Sequence, residues 1–159
     1  MEKEPVIRTI DTHDYEELLL LVNHLHSLHV QNRPDIYQNA SCAFTPDEFE
    51  DRLNNPNNIT LVAQVDGQIA GLCMALIKNG TDNNLVVSHK TLFIEDVCVH
   101  PSFRRLHVGT LLLNHVESMA KALGIERIDL SVWSFNETAL SFYSSWGMKP
   151  QRVIMEKKI

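Results

Sequence analysis

The 159-residue chain lacks long apolar runs and an excess of positive charge. None of its apolar runs reaches the roughly 20 residues that a membrane helix needs. The charged beginning, MEKEPVIRTI, is unlike a signal peptide, so we expect a cytoplasmic protein with no membrane partner. Its 14 Lys and Arg against 20 Asp and Glu give a net charge of -6, which argues against broad nucleic-acid binding. A net-acidic surface tolerates a cationic ligand such as an amine.

Cysteine is also scarce, since the chain has only Cys42, Cys73 and Cys98. Their odd number and wide scatter fit neither a disulfide framework nor a zinc site. Cys73 and Cys98 lie in apolar runs, so we interpret them as reduced, buried, small hydrophobic residues. Three histidines follow one another at spacings of two and three, which does not place all of them on one helix face. We therefore predict no metal site there, but a solvated or substrate-facing helix surface: His24, His26 and His29.

The chain has 44% hydrophobic and 21% charged residues, which is the ordinary composition of a globular protein. Its length is enough to bury the core of one domain. Helical spacing of apolar residues predicts a helix capped by Asp11 or Thr12, and a capping box at Thr45 with Glu48 starts a second. Two more helices are predicted, one over Val108 to Leu123 and one over Asn136 to Trp146.

Strands are predicted between these helices. An Asp66-Gly67 turn between apolar runs indicates a hairpin, and the polar segment from Lys78 to Asn84 predicts a loop. The order β-α-α-β-β-β-α-β-α-β predicts a mixed sheet with helices on its faces. The remaining strands are expected over Val6 to Ile10, from Thr91 to the turn at Pro101, over Arg127 to Trp133, and over Arg152 to Lys157.

The stretch VHPSFRRLHVGTLLLNHVESMA is the part of the chain that indicates chemistry. A strand that enters a helix through a tight loop exposes backbone N–H groups at the helix start, which is a site for an anion such as phosphate. Arg104 and Arg105 add cationic donors, and Gly109 removes a side chain where a ligand could approach. The glycine patterns of the Walker loop and of the dinucleotide fingerprint are absent. A loop with merely solvated arginines stays open as an alternative.

Two motifs in order resemble one family. IEDVCVHPSFRRLHVGTLLL is similar to the acetyl-CoA-binding core of the GCN5-related N-acetyltransferases, and LSVWSFNETALSFYSSWGMKP is similar to that family's second motif. His107 stands where the family has its first loop glycine, and Met148 replaces an aromatic residue. The resemblance implies a single α/β (α+β mixed) acetyltransferase domain over 1–159, with a central mixed, mostly antiparallel sheet and about four helices. Residues 1–55 would shape the acceptor site and 56–159 would form the acetyl-CoA core.

The implied activity is acetyl transfer from acetyl-CoA to a primary amine, by direct transfer in a ternary complex. The acceptor would be a small-molecule or peptide amine, and a homodimer is plausible by the same resemblance. The alternatives are acetylation of protein N-termini or a ribosomal protein, and a non-catalytic acyl-CoA-binding module. The family pattern implies no metal and assigns the coenzyme to these residues: Val97, Cys98, Val99, Arg104, Arg105, Leu106, His107, Val108, Gly109, Thr110 and Asn136.

The catalytic residues are also carried over from the resemblance. Tyr143 would protonate the leaving thiolate, and the backbone N–H of Val97 would stabilise the oxyanion. Glu95 is preferred to Asp96 as the base. Strand alternation groups Glu95 with Val97 and Val99, and Asp96 with Ile94 and Cys98, unless a bulge exchanges the faces. On the substrate side we expect Asp96 together with Trp133 and Phe135, although the two aromatic residues also fit simple packing.

Overall fold

The computed structural model describes residues 4–159. Its elements are β1 (Val6–Thr9), α1 (Tyr15–Asn32), α2 (Pro46–Asn54), β2 (Asn58–Val65), β3 (Gln68–Lys78), β4 (Thr91–Val99), a 3-10 turn (Pro101–Phe103), α3 (Val108–Ala122), β5 (Ile128–Leu130) and α4 (Glu137–Ser145). The five strands lie side by side in chain order. All neighbouring strands are antiparallel except β4 and β5, which are parallel. The predicted fold class is thereby confirmed.

Each face of the sheet carries its own apolar core, because side chains of a strand alternate between the two faces. On one face α3 packs through Leu112 and Leu113 against Leu61 of β2. On the other face α1 and α2 pack against Val62 and Leu72. Burying a leucine completely contributes about 2 kcal/mol. The helices are therefore fixed to the sheet from both sides.

A helix cap and a hairpin turn form as the sequence predicts. The Thr45 hydroxyl accepts the N–H of Glu48 at 3.2 Å, and the Glu48 carboxylate accepts the N–H of Thr45 at 2.7 Å, which completes the capping box. Asp66 and Gly67 have φ of 51° and 84°, the left-handed conformation that a two-residue hairpin turn requires.

The start of α1 differs from the prediction. The helix begins at Tyr15 behind Asp14, rather than behind Asp11 or Thr12. Asp14 is buried, and its carboxylate accepts both guanidinium N–H groups of Arg8 at 2.7 and 2.8 Å. It also accepts the N–H of Asp11 at 2.8 Å. Burial opposes the effect of the Arg8 hydrogen bonds, yet the pKa of Asp14 is lowered overall. The Arg8–Asp14 ion pair thus joins the end of β1 to the start of α1.

The predicted last strand, Arg152 to Lys157, is wrong for the single chain, since residues 148–159 form no strand. β5 is also shorter than predicted, at three residues. A strand exists only where a neighbouring backbone pairs with it. The segment after α4 has no such neighbour within the described part of its own chain. The loop between β3 and β4 covers residues 79–90, so it is longer than the predicted segment from Lys78 to Asn84.

Candidate active site

A β-bulge interrupts β4 at the two adjacent acids. Met74 of β3 pairs with Asp96, but the next residue, Ala75, pairs with Ile94, so Glu95 is an extra residue on β4. Ile94 packs in the α3-side core and Cys98 in the α1-side core. The prediction that Ile94 and Cys98 share a face is therefore wrong, because the bulge shifts the alternation by one residue. Glu95 and Asp96 both line the same cavity on the α1 and α2 side.

The backbone of β4 loses its neighbour beyond the bulge. The parallel ladder to β5 ends at the pair Ile94 and Leu130, after which β5 turns away from β4. Val97 and Val99 therefore lie on a stretch of strand whose β5-side edge is open. Their side chains pack on the α3-side core, and the buried Cys98 thiol contacts the Leu21 carbonyl at 3.7 Å. Burial raises the pKa of Cys98 to about 11. Because these three side chains pack on the two cores, this part of β4 offers its backbone groups to a ligand.

The open edge leads to a loop that we call the anion loop, residues 100–107. Its 3-10 turn follows His100, whose ring accepts the N–H of Ser102 at 3.2 Å. Arg104 and Arg105 are exposed. Arg105 and His107 have φ of 68° and 57°, the left-handed region that most residues avoid. His107 precedes α3, which explains physically why a glycine suits this position.

The start of α3 offers free amides beside the anion loop. The first N–H groups of a helix have no partner within the helix, and the helix dipole favours an anion there. The amides concerned are those of Val108, Gly109 and Thr110. Val108 is itself buried, and Leu106 packs partly against the same core, so these two contribute backbone only. Gly109 lies against the ring of Phe142 in α4.

A cavity of about 600 Å³ lies between α2 and the bulge. Asp47 and Asp51 of α2 line it, together with Met74 of β3. Across it the guanidinium of Arg52 pairs with Glu95 and donates to the Ala75 carbonyl at 3.4 Å. The sequence-predicted base thus already has a cationic partner. Sequence reasoning missed Arg52, because its link to Glu95 depends on how α2 packs on the sheet.

Asp96 lies where α1, β4 and α4 meet. No described residue donates a hydrogen bond to its carboxylate. Burial, and then repulsion from Glu95, raises its pKa, while His29 opposes this. Burial lowers the pKa of His29 against the attraction of Asp96. Burial raises the pKa of Tyr143 to about 12, and the charge of Asp96 adds to this. The structure therefore brings Asp96 and Tyr143 into one electrostatic environment.

An aromatic wall, formed by His29, Tyr37, Trp133 and Phe135, borders this environment. The Trp133 indole donates to the Tyr37 hydroxyl at 3.0 Å, and Tyr37 stacks on His29 with ring centres 5.0 Å apart. Trp133 stacks on Phe135 at 6.1 Å, nearly parallel. Trp133 and Phe135 were predicted from sequence, whereas Tyr37 was not. The histidine series of α1 was a further sequence signal for this surface, through His29.

Asn136 caps α4, as predicted from its position before the helix. Its side-chain oxygen accepts the N–H of Ala139 at 3.1 Å. Cys73 and Cys98 are free and buried, as expected from the apolar runs around them, whereas Cys42 is exposed. Within residues 4–159 no group of three His, Cys, Asp or Glu side chains is arranged to hold a metal. In the same range no helix is both long and apolar enough to cross a membrane.

Comparison with known proteins places this chain in a family. The acetyltransferase (GNAT) family model matches residues 23–148. The chain belongs to the GNAT acetyltransferase family. It is 26% identical to an acetyltransferase of Yersinia enterocolitica over 149 residues, which covers 94% of this chain and 91% of the other.

Solved structures agree with the fold. A mutant of the BH1408 protein from Bacillus halodurans has a TM-score of 0.94 at 28% identity, covering 97% of this chain and 99% of that one. An aminoglycoside N-acetyltransferase, AAC(6')-Iy, solved in complex with CoA, has a TM-score of 0.73 at 21% identity, covering 97% and 99%. This second likeness supports the GNAT fold. Membership of the family supports acetyl transfer with acetyl-CoA.

Proposed function

We propose that this GNAT protein is an N-acetyltransferase that moves the acetyl group of acetyl-CoA directly to a primary amine in a ternary complex. The observation that carries the proposal is the opening where β5 leaves β4, because Asp96 lies on β4 just beyond this point and its charge contributes to the raised pKa of Tyr143. One side of this point opens onto the anion loop, and the other opens onto the cavity beside α2. A donor and an acceptor can therefore approach the same place from opposite sides, as direct transfer requires.

The residues present fit the coenzyme. The open edge of β4 at Val97 and Val99 has the backbone groups that an extended amide-containing arm pairs with. The free amides at the start of α3 and the exposed Arg104 and Arg105 suit a diphosphate. In the bound state the thioester supplies the activated acetyl group. The N–H of Val97 is our candidate donor to its carbonyl oxygen.

Tyr143 is proposed as the proton donor to the leaving thiolate. A pKa of about 12, raised mainly by burial, keeps the phenol protonated throughout the physiological range. A donor must carry its proton before the reaction begins. Tyr143 is half-buried and packs against the α3-side core, so its ring would also shield the sulfur of a bound coenzyme from water.

Asp96 is proposed as the group that receives the proton of the amine, with Glu95 as the alternative that sequence reasoning preferred. The Glu95 carboxylate is engaged by Arg52, whereas Asp96 has no hydrogen-bond donor among the described residues. A carboxylate with a raised pKa is a better proton acceptor than an ordinary one. Glu95 would then hold Arg52 in place and shape the cavity wall.

The acceptor is proposed to be a small amine that enters between the cavity and the aromatic wall. Carboxylates of Asp47, Asp51 and Asp96 line the cavity and attract a cation, while the wall supplies aromatic faces. AAC(6')-Iy, by its name, acetylates an amine of a small molecule. Residues 1–55 would supply most of the acceptor side within one acetyltransferase domain. The cytoplasmic location and the homodimer stay predictions.

The experiment that tests this function is a thiol-release assay with acetyl-CoA across a panel of small amines and peptides. We expect release with at least one small amine and a mass increase of one acetyl group on its nitrogen. Calorimetry with CoA is run in parallel. Tight CoA binding without transfer to any amine or peptide would instead support the acyl-CoA-binding alternative, and transfer only to peptides would support the alternative of protein acetylation.

A further inference from the structure

The buried hydroxyl of Thr60 on β2 lacks a hydrogen-bond partner. Thr60 is only 4% exposed, and its Oγ1 atom has neither a donor nor an acceptor among the described residues. The large majority of buried polar side-chain atoms in proteins have a partner, so an exception needs an explanation. The neighbour of Thr60 on β3 is Met74, which lines the cavity beside α2 described above. The unpaired hydroxyl therefore lies one strand away from that cavity, which we call the acceptor cavity.

Thr60 lines a second cavity, of about 300 Å³. Its walls come from the end of β1, the last turn of α2, the turn that follows, the start of β2, and α3. Thr9, Asn54 and Pro56 on its border are exposed, so a molecule can enter from solvent. Ligand pockets begin at about this volume, so a molecule with a single ring fits. The apolar side chains that line the second cavity are Ile10, Leu53, Pro56, Ile59 and Met119.

The second cavity differs from the acceptor cavity in charge. Within residues 4–159, no Asp or Glu lines the second cavity, and its one cation, Arg52, is paired with Glu95. A charged ligand would therefore lose its water there without gaining a counter-charge. The two cavities thus select different chemistry, a cation in one and a neutral molecule in the other. The acceptor cavity is lined by the carboxylates of Asp47, Glu48, Asp51, Glu95 and Asp96.

The polar groups of the second cavity suit a ligand hydroxyl. Asn54 donates its side-chain N–H to the Glu50 carbonyl at 2.9 Å, and Asn58 donates its own to the Asp51 carboxylate at 2.7 Å. The side-chain oxygens of these two asparagines are left as acceptors. The Thr60 hydroxyl can both donate and accept. A ligand hydroxyl has the same two abilities, so it can accept from Thr60 and donate to an asparagine oxygen.

The two cavities share a wall, formed by Arg52, Asn55 and Asn58. Arg52 reaches across this wall to pair with Glu95 and to donate to the Ala75 carbonyl at 3.4 Å. A molecule that packs against one side of the wall therefore shifts groups that line the other side. Coupling of this kind is reciprocal, because each occupant changes the affinity of the protein for the other by the same factor.

We propose that the second cavity binds a small neutral alcohol with a single-ring apolar body, and that this alcohol changes amine binding through the shared wall. The alcohol hydroxyl pairs with Thr60, and its ring packs on Leu53 and Ile59. An occupant explains why β2 has threonine at this position, where valine has the same shape and leaves no hydroxyl unpaired. The effect on amine binding rests on the proposed function, whereas the alcohol site itself does not.

The test is an NMR titration of the isotope-labelled chain with cyclohexanol, without acetyl-CoA. We expect saturable shifts of the backbone amides of Leu53, Asn58 and Thr60, and of the Arg52 Nε–H, which reports on the shared wall. Cyclohexylammonium is the matched probe, because it has the same ring but carries a charge. It should leave the Thr60 amide unshifted, and equal shifts at Thr60 with both probes would contradict a site for neutral molecules.

Thr60→Val removes the hydroxyl and keeps the shape of the side chain. Its affinity for cyclohexanol should fall at least about fivefold, the usual effect of one lost hydrogen bond, whereas Thr60→Ser should stay within about twofold of the wild type. Thr91→Val is the control, since Thr91 is a buried threonine of β4 that lines neither cavity. Thr60→Val should also keep or raise Tm, because it removes an unpaired buried hydroxyl. A markedly lower Tm would mean that the hydroxyl has a structural partner, which overturns the proposal.

Shifts centred on Thr60 that Thr60→Val weakens and Thr91→Val retains support the alcohol site, whether or not any amine is acetylated. The absence of a shift at Thr60 up to the solubility limit of cyclohexanol overturns it, and so does equal affinity of the wild type and Thr60→Val. With an amine identified by the thiol-release assay, saturating cyclohexanol should change the KM of that amine about fivefold. An unchanged KM with the second cavity saturated overturns the coupling through Arg52.

Discussion

The ring of Phe142 lies against the position where a side chain on Gly109 would begin. A Cβ on Gly109 would approach the Phe142 Cζ atom to 3.0 Å. A hydrogen at this position lets α4 pack on the first turn of α3 without displacing the ring. The next residue after Phe142 is Tyr143, so the glycine sets the position of the proposed proton donor. Gly109 therefore has a packing role, whereas the sequence indicated close approach of a ligand.

Gly109→Ala should lower kcat several-fold with little change in CoA affinity. The new methyl group displaces the Phe142 ring by a few tenths of an ångström, and α4 moves with it. The free energy of unfolding should change by less than about 1 kcal/mol, because the gain in helix propensity offsets the close contact between the methyl group and the Phe142 ring. Steady-state kinetics and CoA calorimetry separate the two effects.

The matched control for Gly109→Ala is the double variant with Phe142→Leu, which shortens the side chain that the methyl group meets. Its kcat should recover part of the loss relative to Gly109→Ala alone. An unchanged kcat in Gly109→Ala would contradict the idea that this contact positions Tyr143.

His107→Gly should stabilise the protein. His107 has φ 57° and ψ 18°, a left-handed conformation that costs an L-residue about 1 kcal/mol. Glycine adopts it without this cost, although it also gains freedom in the unfolded chain. We expect a net gain of a few tenths to about 1 kcal/mol in the free energy of unfolding, measured by urea denaturation.

His107→Ala is the control, because it removes the imidazole but keeps the Cβ that makes the conformation costly. It should be less stable than His107→Gly by about 1 kcal/mol. Equal stability of the two variants would show that the backbone at residue 107 is not strained. CoA calorimetry on both variants also tells whether the imidazole hinders the coenzyme, since both lack it.

The features that local chemistry specifies were predictable from sequence. The Asp66-Gly67 turn and the Thr45–Glu48 capping box involve neighbouring residues only, and both formed as expected. The extra residue at Glu95 was not predictable in the same way, because a bulge shows only in the register with β3. The face that Asp96 occupies therefore had to come from the structure.

The acceptor side was the least predictable part of the site for a related reason. Tyr37 meets Trp133 although 96 positions separate them, and Arg52 meets Glu95 across 43. Such contacts depend on tertiary packing and leave no periodic pattern in the chain. The coenzyme side is instead built from one continuous strand, loop and helix, and the order of these elements can be predicted from the sequence.

Tyr143→Phe should lower kcat about 100-fold and leave CoA affinity within about twofold of the wild type. The substitution removes the phenolic proton but keeps the ring, which packs beside Phe142 with centres 5.3 Å apart. Because the pKa of Tyr143 is raised to about 12, the wild-type rate should show no loss from phenol ionisation below about pH 11.

Tyr15→Phe is the control for a lost phenol outside the site. The Tyr15 hydroxyl donates to the Phe44 carbonyl at 2.9 Å, so its removal should cost about 1 kcal/mol of stability and no activity. A Tyr143→Phe enzyme as fast as the wild type would remove the donor assignment, and the thiolate would then take its proton from water.

Asp96→Asn and Glu95→Gln should have opposite signatures, and the pair decides which carboxylate takes the proton. The wild-type rate should fall as the pH drops through the pKa of Asp96, which lies above the usual value of about 3.9. Asp96→Asn should lower kcat/KM strongly and abolish this fall in rate at acidic pH, the acidic limb of the pH–rate profile. Glu95→Gln should keep the limb and instead loosen Arg52, which raises KM for the amine. The pH–rate profiles of the three proteins are the measurement.

Stability gives an independent check on Asp96, because its proton is bound more tightly in the folded than in the unfolded state. A group of this kind favours folding at low pH, and that contribution is lost as the pH rises through the folded pKa. At neutral pH the half-buried carboxylate therefore destabilises the fold, and Asp96→Asn should raise Tm. The difference should shrink as the pH falls below about 3.9, where the wild-type residue is also neutral. A lower Tm for Asp96→Asn at neutral pH would mean that the carboxylate has a stabilising partner, and Asp96 would then be structural rather than the proton acceptor.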